Sequence, residues 1–253
     1  MIEIFILSLI QGITEFLPIS SSSHLILISE VFNFKNQNLT IDVSSHIGSF
    51  IAVIVYFYKD IINFVENKIL FLKILISSIP VMIIGLVLVK TGIIQEIRNI
   101  ETIAWTTIIF GILLYLVDKF KTGKKSLENN FNYKSVIFIG CLQILSLIPG
   151  VSRSGIAITA ARFLNFNRMD SAKISFFLSI PILGAVSLFG IIDIVSSQNF
   201  FLTKLNLITI LFSFIFSFVT IKYFLIYINK FDLSVFAFYR ILLGIILLYN
   251  IYL

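Results

Sequence analysis

Residues 11–24 read QGITEFLPISSSSH, and this polar stretch interrupts an otherwise apolar part of the chain. Apolar runs flank it at about 2–17 and 20–32, and each is shorter than the roughly 20 residues that a membrane-spanning helix needs. Pro18 ends the first run, and the serines are strong N-cap residues for the second. Two short helices joined at a polar break predict a re-entrant hairpin, a backbone path that is tolerated at membrane depth only where protein or a wet cavity buries it.

The composition of the chain indicates that lipid is its solvent. Of 253 residues, 58% are hydrophobic and 13% are charged, whereas soluble domains average about 25% charged residues. The single cysteine, Cys141, excludes an internal disulfide framework. The first residues carry Glu3 and no basic segment, so we expect no cleaved signal peptide. Basic loops between membrane helices explain the net charge of +6 more simply than nucleic acid does, and no nucleic-acid partner is expected.

A second polar break, PGVSRSG at 149–155, separates the apolar runs 133–148 and 155–165. Six other runs approach the length of a crossing: 43–59, 69–90, 100–118, 172–195, 205–228 and 235–253. The sequence therefore predicts an all-α polytopic membrane protein. We expect a single membrane domain over 1–253, with about six transmembrane helices and two re-entrant helical hairpins.

Three segments of the first half resemble segments of the second, in the same order and at a nearly constant separation. FLPISSSSH around Pro18 matches LIPGVSRSG around Pro149, and IDVSSHIGSF and GILLYLVDKF have partners of their own. This pattern predicts internal repeats at about 1–118 and 133–253. Since each half has three crossings, an odd number, the second half is expected to be inverted relative to the first.

The basic residues predict the orientation of the chain. With the lysine-rich loop 119–134 placed inside, most Lys and Arg lie at cytoplasmic ends, whereas Lys35, Lys90, Arg98 and Lys204 lie outside. The first hairpin then enters from outside and the second from the cytoplasm. Their polar tips can therefore meet inside the membrane.

The first break has groups suited to phosphate chemistry. Gln11 and Glu15 are four residues apart and share one helix face, and a carboxylate at membrane depth needs a partner or a task. The serines begin a helix whose N-terminus offers free N–H groups to an anion. His24 lies one turn into that helix, where it can act as a general acid or base. The structural alternative is a capped helix with a hydrogen-bonded Glu15 and a packed His24.

The second break contains a permanently charged planar fork, Arg153, which is suited to bidentate phosphate contact. A salt bridge from Arg153 to Glu15 without any ligand is the structural alternative, and a phosphate could compete for the same arginine.

Other polar groups are less decisive. Asp42 and His46 open the 43–59 run, either as an interfacial cap and a packed histidine or in support of the site. Tyr239 and Arg240 begin the last run, where we expect the arginine to extend toward the cytoplasmic face. The sequence has no GxxxxGK phosphate loop and no zinc-ligand pattern of His and Cys.

Together, the two breaks resemble the motifs of the undecaprenyl-diphosphate phosphatase family, the bacitracin-resistance membrane proteins. The family's (E/Q)xxxE element corresponds to Gln11 and Glu15, and is followed by FLPxSSxxH ending at His24. Its PGxSRSG element corresponds to 149–155. The similarity extends to the SFFLSIP and FAFYR runs, so it spans essentially the whole chain.

The resemblance implies removal of the terminal phosphate from undecaprenyl diphosphate at the outer face of a bacterial cytoplasmic (inner) membrane. That reaction recycles the lipid carrier for cell-wall synthesis and gives bacitracin resistance. The resemblance also implies a divalent cation, Mg²⁺ or Ca²⁺, with Glu15 as a metal ligand. The polyprenyl diphosphate and membrane lipids are the expected partners, and a homodimer is compatible with the sequence. Where the family often has Gly and Thr, this chain has Ser23 and Ala157, which puts one hydroxyl contact in question.

The expected chemistry is phosphoanhydride hydrolysis, in which positioning and charge stabilisation dominate. We expect Arg153 and the helix N-termini to bind phosphate oxygens, Ser21 to act as nucleophile, and Glu15 or His24 to activate it. A water nucleophile, with Glu15 holding Mg²⁺, is the competing scheme, and the sequence does not choose between them. The expected substrate-binding residues are Gln11, Ser20, Ser22, Ser152, Ser154 and Gly155.

Two other functions share parts of this pattern. A secondary transporter or lipid flippase would also use inverted repeats with broken helices. A type 2 phosphatidic-acid phosphatase pairs Ser-x-His with Ser-Arg but needs a further histidine, and none follows His46. Phosphate release by the purified protein separates an enzyme from a transporter.

Overall fold

The computed structural model describes residues 1–34, 38–66, 68–196 and 200–252. Within these ranges every regular element is helical, apart from one isolated bridge between Lys125 and Phe166. The first half contains α1 (Ile2–Thr14), α2 (Ser21–Phe32), α3 (Leu39–Tyr56), α4 (Tyr58–Glu66), α5 (Lys68–Thr91), α6 (Ile93–Glu96) and α7 (Ile100–Phe120). The second half contains α8 (Leu127–Asn130), α9 (Tyr133–Gln143), a 3-10 turn (Ile144–Leu147), α10 (Arg153–Phe163), α11 (Arg168–Ser196), α12 (Phe200–Lys230) and α13 (Ser234–Tyr252).

In the described part of the chain five helices are long and apolar enough to cross a membrane: α5, α7, α11, α12 and α13. The predicted crossing at 43–59 is α3, whose 18 residues extend about 27 Å at 1.5 Å per residue, slightly less than a typical hydrocarbon core. The predicted all-α polytopic fold is confirmed, and the protein is a multi-pass membrane protein. The orientation and the internal repeats stay predictions, and Lys35, which the orientation places outside, lies beyond the described residues.

Small side chains let α3 pack closely against α12. A Cβ added at Gly48 would lie 2.4 Å from the carbonyl oxygen of Ile210, so a larger residue would separate the helices. Beside this contact, Ser49 Oγ lies 3.2 Å from Ser213 Oγ and 2.9 Å from Ser217 Oγ. Close backbone approach and hydroxyl bonds of this kind are the usual means of joining helices in lipid, where the hydrophobic effect between them is absent.

A cluster of phenylalanines packs beside the first break. Phe16 is fully buried and meets Phe176 of α11 edge to face, with the ring centroids 5.4 Å apart. Phe57 and Phe177 form a second edge-to-face pair at 5.2 Å. Because such pairs have preferred geometries, they orient the chain segment that carries Glu15.

The second hairpin is built around a helix that is surrounded by protein. Each residue of α10 from Ser154 to Arg162 is buried, and the helix packs against α7, α9 and α11. The preceding run, predicted as one helix to 148, becomes a 3-10 turn after Gln143 and is extended at Ile148. Residue 148 precedes a proline, and the proline ring disfavours helical backbone at that position.

Candidate active site

The two polar breaks lie against each other. Arg153 Nη2 donates a hydrogen bond to Glu15 Oε1 at 2.8 Å, and Ser154 Oγ donates to the carbonyl oxygen of Leu17 at 2.7 Å. Glu15 is 6% exposed, and the Arg153 side chain is 13% exposed. The fold therefore pairs opposite charges from the two hairpins in a buried position, and the ion pair considered in the sequence analysis is present.

Glu15 is the centre of the hydrogen-bond network. Its Oε2 accepts from Ser21 Oγ at 2.6 Å and from Gln11 Nε2 at 2.9 Å. Gln11 lies one turn earlier on α1, and Ser21 is the first residue of α2. A distance of 2.6 Å is typical of a hydroxyl that donates to an ionised carboxylate. The hydroxyl proton of Ser21 thus points at a base, which is the arrangement that an activated nucleophile requires.

His46 of α3 joins the same network. Its Nδ1 lies 2.9 Å from Gln11 Nε2 and 3.7 Å from Glu15 Oε2. Gln11 Nε2 must donate to the carboxylate, which fixes the orientation of the amide, so Nδ1 of His46 is the acceptor and carries no proton. His46 thus supports the site, one of the two interpretations that the sequence left open.

His24 lies in a different place from the one its predicted role suggests. Its Nδ1 is 2.6 Å from the carbonyl oxygen of Ser20, and its Nε2 is 2.6 Å from the hydroxyl of Tyr239. A carbonyl can only accept, so Nδ1 carries a proton. Among the described residues His24 forms no hydrogen bond with Ser21 or Glu15. Of the two expected activators of Ser21, Glu15 is therefore in direct contact with it and His24 is not.

Arg240 does not extend toward the cytoplasmic face, and that expectation was wrong. The residue is fully buried. Its Nη2 donates to the carbonyl oxygens of Gly150 and Val151 at 2.8 and 3.0 Å, and its Nη1 lies 3.3 Å from the carbonyl oxygen of Pro18. Arg240 therefore ties both breaks together through their backbones. The one sequence signal for this role was the FAFYR run within the family resemblance.

The residue before each inner helix has the same unusual backbone. Ser20 has φ 73° and precedes α2, and Ser152 has φ 71° and precedes α10. Ser152 Oγ accepts from the N–H of Gly155 at 3.0 Å and caps its helix. The side chain of Ser20 makes no such bond, so the first N–H groups of α2 have no side-chain cap. A helix N-terminus in this state is suited to an anion.

The remaining serines of the first break form a chain of hydroxyls. Ser20 Oγ lies 2.9 Å from Ser23 Oγ and 3.4 Å from Ser22 Oγ. Ser22 is exposed and Ser23 is buried. Ser23, which stands where the family often has glycine, thus adds a hydroxyl to this chain. Ala157 is packed in the hydrophobic core and adds none.

Within the described residues the buried Nε of Arg240 has no hydrogen-bond partner, and two buried polar atoms of the breaks themselves also have none. They are Arg153 Nη1, a donor, and Gln11 Oε1, an acceptor. Glycine keeps the junction open, because a Cβ at Gly155 would lie 2.8 Å from Arg240 Nη1 and 3.0 Å from Ser152 Cβ. Unpaired buried polar atoms cost stability, so a ligand that satisfies both is favoured here.

The site suits a divalent cation that a bound phosphate also coordinates. The described residues include no group of three or more Asp, Glu, His or Cys that could bind a metal ion by themselves. Glu15 provides one carboxylate, and Gln11 Oε1 provides an unpaired oxygen nearby. Mg²⁺ in phosphate-processing sites usually takes one or two carboxylates together with substrate phosphates and water. The donor set fits that pattern and does not fit a cation bound by protein alone.

Comparison with known proteins identifies relatives over nearly the full chain. A family model described as "Bacitracin resistance protein BacA" matches residues 4–246. The undecaprenyl-diphosphatase of Pelagibacter ubique is 50% identical over 252 residues, which cover 99% of this chain and 98% of that protein. The undecaprenyl-diphosphatase of Saccharophagus degradans is 41% identical over 250 residues, with 94% and 93% covered. That of Jannaschia sp. is 36% identical, with 97% and 96% covered.

Proposed function

The chain belongs to the family of bacitracin resistance proteins BacA, and on that premise we propose that it hydrolyses undecaprenyl diphosphate to undecaprenyl phosphate and inorganic phosphate. One observation carries this proposal: Glu15 contacts a serine hydroxyl on one side and an arginine from the other hairpin on the other. A base (Glu15), a nucleophile (Ser21) and a positively charged side chain that can bind phosphate (Arg153) are thereby joined in one cluster. Phosphoanhydride cleavage needs these three groups.

The terminal phosphate of the substrate would bind between the two breaks. Arg153 Nη1 is unpaired and buried, so it can donate to a phosphate oxygen while Nη2 still contacts Glu15. The uncapped first turn of α2 adds backbone N–H groups from the other side. The hydroxyls of Ser20 and Ser22 lie at this turn, and we propose that they bind further phosphate oxygens.

In the first step, Ser21 Oγ attacks the terminal phosphorus while its proton passes to Glu15 Oε2. The bond from that phosphorus to the bridging oxygen breaks, and its electron pair leaves with undecaprenyl phosphate. The phosphate shares the positive charge of Arg153 with Glu15, which makes the carboxylate a better proton acceptor. In the second step water attacks the phosphoserine, Glu15 returns its proton to the serine oxygen, and inorganic phosphate leaves with both protons of the water.

A direct attack by water remains the competing scheme. In that case Glu15 takes the proton from water rather than from Ser21, and no covalent intermediate forms. In either scheme a bound divalent cation would neutralise charge on the diphosphate, with Glu15 and the Oε1 of Gln11 as its protein ligands.

The proposed setting is the cytoplasmic membrane of a bacterium, with the site open to the outer face. The product, undecaprenyl phosphate, is the lipid carrier for cell-wall synthesis, so the reaction would recycle the carrier and give bacitracin resistance. The polyprenyl tail needs only an apolar surface, and the membrane-spanning helices expose many large apolar side chains, such as Leu86 and Phe189.

The direct test is phosphate release from a long-chain prenyl diphosphate by the purified protein, with Mg²⁺ or Ca²⁺ and with chelator. We expect release that depends on the protein and is lost with chelator. Absence of release above background at all cation concentrations would contradict the proposed reaction. Release that chelator leaves unchanged would contradict the cation while leaving the reaction in place.

A serine substitution separates the two nucleophiles. If Ser21 forms a covalent intermediate, Ser21→Ala should lose about 1,000-fold or more in kcat, and acid-quenched wild-type enzyme should contain phosphoserine. Ser22→Ala is the matched control and should lose less than about tenfold, because Ser22 is exposed and does not touch Glu15. Near wild-type turnover by Ser21→Ala would establish the attack by water.

Labelling of cysteine variants on intact cells tests the orientation. Cys141 is exposed and must first be replaced. With an impermeant reagent, a Ser22→Cys variant should be labelled from outside, whereas a Lys124→Cys variant should be protected. Labelling at position 124 with protection of both termini would show that the orientation is the reverse of the proposed one. The site would then open to the cytoplasm.

A further inference from the structure

A basic cavity lies outside the active site. It is surrounded by the ends of three helices and the start of a fourth. It has a volume of about 490 Å³, and its lining comes from the loop after α7, the end of α10, the start of α11 and the end of α12. Lys121, Arg162 and Arg168 are among the lining residues, and no acidic residue is. The positive-inside prediction places this end of the molecule in the cytoplasm.

The charges around the cavity do not balance. Asp118 is buried and faces two guanidinium groups: Arg162 Nε donates to its Oδ1 at 2.9 Å, and Arg168 Nε donates to its Oδ1 and Oδ2 at 2.9 and 3.1 Å. One carboxylate thus serves two arginines. A buried cation without a full counter-charge is costly, so this arrangement favours a further anion.

The other nearby carboxylate, Asp232, supplies only part of that charge. Asp232 pairs with Lys119 at 2.7 Å, and this hydrogen bond lowers the pKa of Asp232 to about 2. Asp232 is therefore ionised at physiological pH and already has its own lysine. With Lys121 included, four basic side chains near the cavity face two carboxylates.

Hydrogen-bond donors that have no protein partner in the described residues indicate the chemical class of the ligand. Within the described residues Arg168 hydrogen-bonds through Nε alone, so both of its terminal NH₂ groups are available, and its side chain is 35% exposed. Lys121 has no carboxylate partner in the same residues and lies over the ring of Phe163, with Nζ 5.0 Å from the centroid. An arginine fork beside a lysine is a typical phosphate site.

The neighbouring cavity shows that this imbalance is local. That cavity measures about 710 Å³, and it mixes three acids with the lysines Lys73 and Lys173. One of the acids, Asp170, accepts from the N–H of Leu127 and from Asn167 Nδ2. Its charges nearly cancel, so it gives no reason for an anion to bind.

The surface beside the basic cavity is apolar. Phe120, Phe163 and Phe231 end their helices at the same side of the molecule and are 78%, 50% and 57% exposed. Large apolar side chains that are exposed together indicate a surface that contacts lipid. A ligand that combines a phosphate with an acyl chain would contact both surfaces, whereas free phosphate would contact the cavity alone.

We propose that this cavity binds the phosphate of an anionic phospholipid headgroup, with Lys121 and Arg168 as its main ligands and the acyl chains along the exposed phenylalanines. Basic pockets between membrane helices on the cytoplasmic side bind such headgroups in other proteins. The bound lipid joins the ends of α7, α10, α11 and α12, so it stabilises the folded protein by mass action.

The test is the thermal unfolding of the purified full-length protein in neutral detergent, titrated with phosphatidylglycerol, with phosphatidylcholine or with inorganic phosphate. Phosphatidylglycerol should raise Tm by several degrees and phosphatidylcholine should not. In Lys121→Gln the half-saturating concentration should increase about fivefold. Lys124→Gln removes the same charge from an exposed site in the same loop that does not line the cavity, and it should titrate as wild type.

Three outcomes would overturn the proposal. They are equal shifts with both lipids, an equal loss in Lys121→Gln and Lys124→Gln, and a full shift with inorganic phosphate alone, which would identify free phosphate as the ligand. Since the active site also binds phosphate groups, the titration is repeated with Arg153→Lys. The rise in Tm with phosphatidylglycerol should persist in this variant. Its disappearance would assign the lipid effect to the active site instead.

Discussion

The two breaks are alike in backbone and opposite in chemistry. Each has a proline, then a serine with φ near 70°, then a helix, although α10 is buried from Ser154 to Arg162 whereas only Ser23 and Leu25 are buried in α2. In the second break the serine caps its helix, whereas in the first break the corresponding serine leaves the helix end open. The first break carries the carboxylate and a chain of hydroxyls, and the second carries the guanidinium.

This difference shows how one backbone arrangement can serve two purposes. In the second break the serine caps the helix N-terminus, and the break provides the positive charge of Arg153. In the first break the backbone N–H donors and the proposed nucleophile, Ser21, are available to a ligand. Neither break contains the complete site, which exists where Glu15 meets Arg153. The substitutions below test this division of roles, in order of expected effect.

The largest effect is expected for Glu15→Gln, since it removes the base in either scheme. Loss of a general base costs about 10²–10⁴-fold in kcat, and loss of the proposed metal ligand would add to this, so activity should fall to background. Gln11→Glu is the matched control one turn away and should stay within about tenfold of wild type, because the family uses either residue there. An active Glu15→Gln enzyme would move the base out of the first break.

Arg153→Lys should have the next largest effect. The substitution keeps the charge and loses the planar fork that contacts Glu15 and leaves Nη1 for phosphate. We expect kcat/KM to fall about 100-fold, as for loss of one transition-state donor, while the protein still folds and inserts. Turnover near that of wild type would show that the second break serves assembly alone.

Arg240→Lys should weaken both breaks, because Arg240 contacts the backbones of both. Arginine makes these contacts from two separate nitrogens and lysine has only one, so we expect a lower Tm and a loss of about tenfold in kcat. Arg98→Lys, at an exposed position between α6 and α7, is the control and should change neither. A normal Tm for Arg240→Lys would show that other contacts are sufficient to join the breaks.

The smallest expected effect is the difference in Tm between Ser20→Gly and Ser152→Gly. Glycine relieves the positive φ at both positions. Ser20 also gives up its hydroxyl contact with Ser23 and a longer one with Ser22, and Ser152 gives up its contact with Ser154. Only Ser152→Gly loses a helix cap, and replacement of a cap by glycine costs a few tenths of a kcal/mol. Ser20→Gly should therefore be the more stable variant, by about 1 °C in Tm. The reverse order would contradict the assigned capping difference.

The two breaks could be predicted from the sequence because Pro, Gly and Ser end helices or cap them through their effect on the adjacent backbone. The sequence also predicted the approach of Arg153 to Glu15, since charges at membrane depth must pair. It did not predict the position of Arg240, because α13 is apolar all round and no periodicity shows which face turns inward. For the same reason the contact from His46 to Gln11 depends on the rotation of α3, which packing against α12 sets.

The bonds of Arg240 have a consequence for biosynthesis. Its partners are carbonyl oxygens in segments that leave the ribosome first and midway, whereas Arg240 itself lies in the last helix. Until α13 has been translated and inserted, those carbonyl oxygens lack their donor, and the two breaks are joined without Arg240, through contacts such as those of Arg153 with Glu15 and of Ser154 with Leu17. We therefore expect the nascent chain to reach full activity only after the C-terminal helix has been inserted.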